Sequence, residues 1–287
     1  MSKAVFRPPF VQAFLTIWLL LWCYSCETVV DVNLPEHTPI LVANSFFSPD
    51  SIWKVKLYKS RGTFKAGPFE SVSNAAVEIT DGENVIDLSH VDNGVYRAVT
   101  NVRPRWGNTY GLRASAPGFA PIESSDSIPI PVPIESVFAD PFSTPSRLTI
   151  HFSDPPGEKN YYQIVVLEEQ EDQTSGTFLS PAYFETNDLI FQEIGDVNPD
   201  EAIFDDALIS DSRYSIKLRV FSNNRFPRLN VLLLSVSESY YRYVKSNQAQ
   251  QQDQENPFST PVQVYNNIAN GLGIFAGYSA SGARVFF

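Results

Sequence analysis

Few residues of this chain have the types and spacing that catalysis or metal binding requires. The three histidines are His37, His90 and His151, and no two of them have a metal-ligand spacing such as i and i+4 on a helix. The sequence also lacks a G-x-S-x-G turn, a phosphate-binding loop and a dinucleotide fingerprint. We therefore expect no enzymatic activity and no cofactor, and we interpret each histidine as a surface or strand residue.

The acidic segment before residue 201 is the main metal candidate. Asp196, Asn198 and Asp200 alternate as the first ligands of a calcium loop do. Such a loop needs glycine at its sixth position and glutamate at its twelfth, where this chain has Glu201 and Ala207. The pattern favours a solvated turn, and the three residues stay calcium candidates in an incomplete loop.

Two further patterns bear on sugar chemistry. Adjacent Glu168 and Glu169 point to opposite faces of a strand, so they cannot flank one glycosidic bond. Aromatic side chains can stack on sugar rings, but their alternation in strands and a helix favours core packing. The aromatic positions are Trp106, Tyr161, Tyr162, Tyr183, Phe184, Tyr240, Tyr241 and Tyr243.

The N-terminal segment predicts export. An apolar run over residues 10–22 follows the basic residues Lys3 and Arg7. The run is shorter than the roughly 20 residues that a membrane span needs. A basic start, a short apolar run and a small residue before a cysteine describe a secretory signal. Residues 1–25 are therefore predicted to be a signal peptide that is removed.

Cys26 is the predicted site of lipid attachment. Ser25-Cys26 resembles a bacterial lipoprotein cleavage site, in which the cysteine is acylated and becomes the new N-terminus. Each buried CH₂ contributes about 0.8 kcal/mol, so two or three acyl chains such as palmitate anchor a protein firmly. Cys23 occupies the position where an aliphatic residue is usual, so an uncleaved anchor and an ordinary signal peptide stay open as alternatives.

Composition and charge exclude several classes of protein. Hydrophobic residues make up 43% of the 287 residues, enough for a folded core. The 32 acidic and 21 basic residues give a net charge of −11, so we expect no nucleic-acid binding. The acidic body is also expected to stand off from anionic lipid headgroups. Both cysteines lie in the first 26 residues, so the mature chain can form neither an internal disulfide nor a thiolate metal site.

Alternating apolar and polar residues predict a mainly β protein. Turn signals such as Asn93-Gly94 separate the alternating segments at intervals of about 10–14 residues, which is typical of β-sandwiches. The predicted strands are 40–47, 53–58, 75–80, 85–88, 95–99, 109–114, 147–152, 161–167, 187–192, 214–221 and 261–268, with a last strand or pair of strands in 272–287.

One short helix is predicted near the C-terminus. Ser235 and Glu238 have the spacing of a capping box, and Tyr240, Tyr241 and Val244 share one helical face. The helix is expected to fade into the polar run 248–254.

Prolines divide the predicted strands into two groups. Four prolines in residues 121–135 predict an extended, semi-rigid connector. The predicted organisation is a signal peptide over 1–25, a tether over 26–39, an N-terminal β-sandwich domain over 40–125, a Pro-rich linker over 126–135 and a C-terminal β-rich domain over 136–287.

The first of these domains resembles a known sandwich. Asn93-Gly94-Val95-Tyr96 and Gly107-Asn108-Thr109-Tyr110 are similar to segments of the prealbumin-like or carboxypeptidase-regulatory-like β-sandwich. The resemblance implies a prealbumin-like sandwich for this domain and nothing about catalysis. The predicted fold class is mainly β, with two β-sandwich (Ig-like or prealbumin-like) domains and one short helix near the C-terminus.

A second resemblance spans nearly the whole mature chain. It is carried by Cys26-Glu27, Asp31-Val32-Asn33-Leu34-Pro35, Leu41-Val42-Ala43-Asn44, Phe152-Ser153-Asp154-Pro155, Asn256-Pro257-Phe258-Ser259-Thr260-Pro261-Val262 and the segment 267–278. These segments resemble domain-of-unknown-function family 4249 of Bacteroidota. The resemblance implies an envelope lipoprotein, often encoded beside a TonB-dependent outer-membrane receptor, with no established catalytic residue.

Two Asp-Ser-Ile triplets match a modification pattern. Asp50-Ser51-Ile52 and Asp126-Ser127-Ile128 resemble the Asp-Ser/Thr-aliphatic acceptor of O-glycosylation in Bacteroidota envelopes. Both are predicted in a turn or linker that an enzyme can reach. Ser51 and Ser127 are therefore acceptor candidates.

Taken together, the sequence predicts a non-catalytic lipoprotein that is anchored in the outer membrane through Cys26. Its expected role is that of an accessory or ligand-capture subunit of a TonB-dependent transport system, with the receptor as its partner. A surface adhesion or structural protein that binds glycans or proteins is the alternative. The ligand, and whether the protein faces the periplasm or the surface, stay open.

Overall fold

Alternation of side chains produces strands with one buried and one outward face, and strand β1 shows the pattern. Leu41, Ala43 and Phe47 are buried, whereas Val42 and Asn44 between them are only half-buried. A strand places successive side chains on opposite faces, so each such segment covers a core with every second residue.

A computed structural model provides the coordinates of the protein. It describes residues 37–62, 67–140, 142–143, 145–172, 176–188, 190–191, 202–209, 213–222, 228–254 and 262–286. The unit from Thr38 to Phe287 is compact. Among the described residues, no helix is both long enough and apolar enough to cross a bilayer.

The described part of the chain contains sixteen strands and one α-helix. The strands are β1 (Leu41–Phe47), β2 (Lys54–Lys59), β3 (Ala76–Thr80), β4 (Val85–Asp92), β5 (Val95–Ala98), β6 (Thr109–Ser115), β7 (Ile122–Ser127), β8 (Ile134–Asp140), β9 (Ser146–Ser153), β10 (Tyr161–Asp172), β11 (Gly176–Pro181), β12 (Tyr183–Thr186), β13 (Ala202–Asp205), β14 (Arg213–Phe221), β15 (Arg228–Val236) and β16 (Leu272–Phe286). The helix is α1 (Glu238–Gln254), and a 3₁₀ turn covers Asp206–Leu208.

The strands form two sheets. Twelve strands belong to the larger sheet, in the order β11-β10-β15-β16-β1-β2-β5-β4-β3-β6-β7 with β13 paired to β10. The smaller sheet has the order β12-β14-β9-β8. The predicted fold class, mainly β with sandwich packing and a helix near the C-terminus, is confirmed.

Strand β16 connects the two halves of the larger sheet. Its first part pairs in parallel with β1, with Leu272 opposite Val42. Its second part pairs antiparallel with β15, from Tyr278 onward. One continuous strand of 15 residues therefore belongs to both halves.

Strand β16 contributes residues to two large cores. The first contains Trp53, Tyr96 and other residues of β1–β7, together with Ile268 and Phe275 from the C-terminal part of the chain. The second is built from β9–β15 and the end of β16 around Phe152 and Tyr162. The predicted domain boundaries stay a prediction, and the structure adds that the first core contains residues far beyond position 135.

The connector between β7 and β8 is bound by serine hydroxyls. Prolines at 129, 131 and 133 have no N–H, so the amides of Val132 and Ile134 are among the few donors in this segment. Val132 N–H donates to Ser235 Oγ at 3.0 Å and Ile134 N–H to Ser281 Oγ at 2.9 Å. The connector is thereby fixed to β15 and β16.

Several predicted elements differ from the observed ones. Residues 187–188 and 190–191 form no strand, because Phe191 N–H donates to Asp188 O in a tight turn. Residues 262–268 form no strand either. Residues 122–127, predicted as connector, form β7 because they pair with β6.

The observed cap of the helix lies two residues after the predicted cap, and the helix is longer than expected. Ser237, not Ser235, is the cap, since Ser237 Oγ accepts from Tyr240 N–H at 3.1 Å. The polar run 248–254 continues the helix to Gln254. Glutamine has a good helix propensity, which explains why a run without apolar periodicity stays helical.

Gly277 is a point of close backbone approach between β16 and β7. A Cβ at Gly277 would lie 2.3 Å from the carbonyl oxygen of Ser127, whereas a Cβ at Gly282 would mainly meet the end of the Leu232 side chain. A backbone oxygen cannot move aside as a side chain can, and overpacking costs about 1–3 kcal/mol.

We expect Gly277→Ala to lower the free energy of unfolding by about 1–3 kcal/mol and Gly282→Ala to lower it by less. Urea unfolding of the two variants and the wild type measures this. Equal effects of the two substitutions would contradict the close approach at Gly277.

Candidate binding surface

The outward side of the first half of the large sheet carries a group of basic and aromatic side chains. Lys54, Lys56 and Tyr58 alternate with buried residues on β2, and Arg97 has the same orientation on β5. Phe46, on the outward side of β1, is 42% exposed. These five residues are called the cationic face below.

The strand register brings the basic side chains together. Lys54 lies directly opposite Arg97, and Lys56 is two residues further along the same strand. Like charges directly opposite each other in a sheet are destabilising. Fold stability therefore does not explain this pairing.

No carboxylate of the described residues forms an ion pair with these three cations. Among the described residues, ion pairs involve other basic side chains, such as Lys59 with Glu70 and Arg113 with Glu123. Lys54, Lys56 and Arg97 take part in none of them. Lys56 Nζ instead lies 5.0 Å from the centre of the Tyr58 ring, a cation–π contact.

Acidic residues lie on β4 and β3, the strands that follow β5 in the sheet. Asp92 and Asp87 belong to β4, and Glu78 on β3 is opposite Asp87. The hydrogen bond and charge of Glu123, with a smaller contribution from Glu78, raise the pKa of Arg113. The outward side of this sheet thus changes from basic at β2 and β5 to acidic at β3 and β4.

Helix α1 extends the cationic face with an aromatic cluster. The Phe46 ring lies 4.9 Å from that of Tyr240 and 5.7 Å from that of Tyr243, both in edge-to-face geometry. Tyr240 also contacts Tyr278 of β16 at 5.8 Å. These four residues are called the aromatic cluster, and edge-to-face pairs of this kind contribute about 0.5–1.5 kcal/mol each.

Asp126 of β7 fixes the start of the helix that carries two of these rings. Its carboxylate accepts hydrogen bonds from Ser237 Oγ, at the helix cap, and from Gly277 N–H at 2.9 Å. A negative charge is favourable at a helix N-terminus. Burial raises the pKa of the Asp126 carboxyl, and the hydrogen bonds from Ser237 and Gly277 partly oppose this rise.

Helix α1 also packs on β10. The Tyr161 and Tyr241 rings are 4.7 Å apart, and Tyr240 Oη donates to Gln163 Oε1 at 2.7 Å. Lys159 lies over the Tyr161 ring and pairs with Asp205. These contacts seat the helix and leave the aromatic cluster on its β1 side.

The predicted metal and lipid residues lie outside the described part of the chain. These residues are Cys26, Asp196, Asn198 and Asp200. Within the described ranges, no three His, Cys, Asp or Glu side chains come together in a way that could hold a metal ion.

Two histidines, and the acids Asp205 and Asp206 that follow the calcium candidates in the chain, have local structural partners. His90 Nε2 accepts from Gly94 N–H at 3.3 Å, and the His151 ring contacts Phe138. Asp205 Oδ1 accepts from Ala207 N–H at the 3₁₀ turn, and Asp206 Oδ2 accepts from Asn160 N–H at 2.7 Å.

The two glycosylation candidates have different surroundings. Ser51 is exposed beside the turn that follows β1. Ser127 is exposed as well, but it is the last residue of β7 and not part of a linker, since it pairs with Thr109. Ile128 beside it is buried and Asp126 is hydrogen-bonded to β16.

Of the aromatic and acidic residues discussed as sugar-binding candidates, some lie in a core and others on the surface. Tyr162 and Phe184 are buried in the second core, while Trp106 and Tyr183 are more than half exposed. Glu168 is buried and accepts from Ser222. Tyr161, Tyr240, Tyr241 and Tyr243 come together around α1.

Sequence analysis missed the cationic face. The alternation of Lys54, Lys56 and Tyr58 was visible, but it is also typical of any solvated strand. Only the register of β5 against β2 places Arg97 beside them, and this register has no signal in the sequence.

Comparison with known proteins places the chain in a family. A family model described as Domain of unknown function (DUF4249) matches residues 27–284. The chain belongs to the DUF4249 family. The resemblance noted in the sequence is thereby confirmed, and no curated protein matches this DUF4249 chain.

Solved structures share only distant likeness with this DUF4249 protein. A DUF4785 family protein from Legionella pneumophila is 12% identical, with a TM-score of 0.24, over 68% of this chain and 50% of that one. Domains A168–A170 of titin are 10% identical, with a TM-score of 0.22, over 70% of this chain and 61% of theirs. The matches span less than two thirds of either structure, and at these scores neither bears on function.

We expect Asp126→Asn to reveal the raised pKa of Asp126. The folded state binds this proton more tightly than the unfolded state, so lowering the pH favours the folded wild type. The wild type should therefore gain stability relative to Asp126→Asn as the pH falls from neutral toward 3.8, the ordinary pKa of the carboxyl.

Urea unfolding of both proteins across this pH range measures the effect. The contributions of other titratable groups to the pH dependence cancel when the two proteins are compared. Asparagine keeps an oxygen that accepts the hydrogen bonds from Gly277 and Ser237, so the substitution retains these contacts. A difference that does not change with pH, or that changes in the opposite direction, would contradict the assignment.

Proposed function

We propose that this protein is a non-catalytic envelope lipoprotein that captures a ligand for a TonB-dependent transport system. In this proposal Cys26 carries the lipid that anchors the chain in the outer membrane. The single observation that carries the capture role is the cationic face, whose three cations form no ion pair among the described residues although Lys54 and Arg97 lie directly opposite each other.

The surroundings of this face support a binding role. Aromatic side chains enriched in binding surfaces combine apolar area with few rotatable bonds. The aromatic cluster, which shares Phe46 with the cationic face, provides such side chains. Asp126, Gly277 and Ser237 hold them in place from β7 and β16, which pre-organises the surface and lowers the entropy cost of binding.

A role in surface adhesion is the second candidate. The same exposed face is equally accessible to a glycan or a protein on another cell. Purification from native membranes separates the two roles, because a transport accessory is expected to co-purify with an outer-membrane receptor. A protein recovered without any receptor in mild detergent would contradict the transport role and favour adhesion.

We expect Cys26→Ser to abolish incorporation of labelled palmitate and to release the protein from the membrane fraction. Cys23→Ser is the matched control, because it removes the other cysteine and is expected to leave labelling unchanged. Labelling that persists in Cys26→Ser, or that is lost in Cys23→Ser alone, would contradict lipid attachment at Cys26.

A further inference from the structure

We infer that the cationic face binds an anionic polysaccharide, a chain of sugars that carry carboxylate or sulfate groups. This inference deepens the proposed function, on which it rests, by naming the class of ligand that is captured. It follows from the charge, the exposed rings and the strand positions of the face.

The basic side chains of the face match an anion. Lys54 and Arg97 are exposed and lie on neighbouring strands in direct register, and neighbouring strands are about 4.8 Å apart. An Arg guanidinium binds carboxylate or sulfate with two parallel hydrogen bonds, and Lys adds a point charge. Successive acidic groups of a polymer can therefore meet successive cations of the face.

The rings of the face match sugars. Tyr58 follows Lys56 on the same side of β2, and the 54% exposed Phe69 lies beside it with a ring-centre distance of 6.3 Å. Phe46, on β1, is the other exposed ring of the face. A sugar ring can pack its apolar side on an exposed aromatic ring while its hydroxyl groups stay hydrated.

The position of the face within the sheet argues against an acidic peptide. An extended peptide gains affinity by adding a strand to a free sheet edge. Strands β1, β2 and β5 each have a hydrogen-bonded neighbour on both sides, so the face offers no backbone partner to a peptide. A polysaccharide has no peptide groups to satisfy.

Because the chain has a net charge of −11, the protein as a whole repels a polyanion. Binding of a polyanion is therefore a stringent test of the cationic face. Binding of polygalacturonate and dextran sulfate to the mature chain is to be measured by calorimetry, with methyl-esterified polygalacturonate and dextran as uncharged counterparts. We expect the wild type to bind a charged polymer, to lose affinity as salt is added, and not to bind its uncharged counterpart. Binding to neither charged polymer, or equal binding to an uncharged one, overturns the inference.

Two triple variants locate the site. Lys54→Gln, Lys56→Gln and Arg97→Gln together remove the cations of the face. They are expected to weaken binding by roughly tenfold or more. The matched control removes three exposed cations elsewhere, with Arg105→Gln, Arg147→Gln and Lys217→Gln, and should bind as the wild type does. Equal losses in both triple variants overturn the inference.

Further measurements keep the result interpretable. Circular dichroism checks folding, and the single variants Lys54→Gln and Arg97→Gln repeat the test if the triple variant does not fold. Poly-glutamate is the peptide competitor, and displacement of the polysaccharide by poly-glutamate at equal charge concentration overturns the choice of ligand. Receptor co-purification is independent of these results, so the transport role can hold while the ligand class fails.

Discussion

The contact between the backbones of β7 and β16 is the constraint on which the arrangement of the protein depends. Gly277 has no side chain, so the Ser127 carbonyl can lie where a Cβ would be. The Asp126 carboxylate then reaches the Gly277 amide and the Ser237 hydroxyl together. Strand β16 pairs with β1 before this point and with β15 after it. The close approach therefore joins β16, which pairs with both halves of the larger sheet, to β7, which closes the first core.

This contact also determines where the aromatic cluster lies. Helix α1 begins at Glu238, its cap Ser237 directly follows β15, and the hydroxyl of Ser237 donates to Asp126. The helix then runs over the outward side of the sheet where β1 meets β16, so Tyr240 and Tyr243 reach Phe46. The cationic face shares Phe46 with this cluster and continues on the neighbouring strand β2. A surface composed from two halves of the chain can keep a fixed geometry because the helix is tied to β7, β15 and β16 at one point.

The sequence predicted local features well and the long-range ones poorly. Alternation identified β2 and β9 because each has one buried face, and proline spacing identified the connector. It missed β15, whose Leu232, Leu233 and Leu234 form a continuous apolar run, since α1 covers one side and the second core the other. It placed strands at 187–192 and 261–268, but of these residues Ile190, Phe191 and Ile268 are buried in a core without belonging to a strand. The cap moved from Ser235 to Ser237 because the Ser235 hydroxyl binds the connector amide of Val132.

Net charge and local charge lead to different expectations for this protein. The total of −11 predicts a body that repels anions. Charges act on a bound group mainly within a Debye length, about 8 Å at physiological salt, so the nearest side chains decide. At β2 and β5 those are three cations that form no ion pair with any described carboxylate, while Asp87 and Asp92 lie on β4, the strand next to β5. Strand order, which composition does not reveal, places a basic surface at β2 and β5 of an acidic protein.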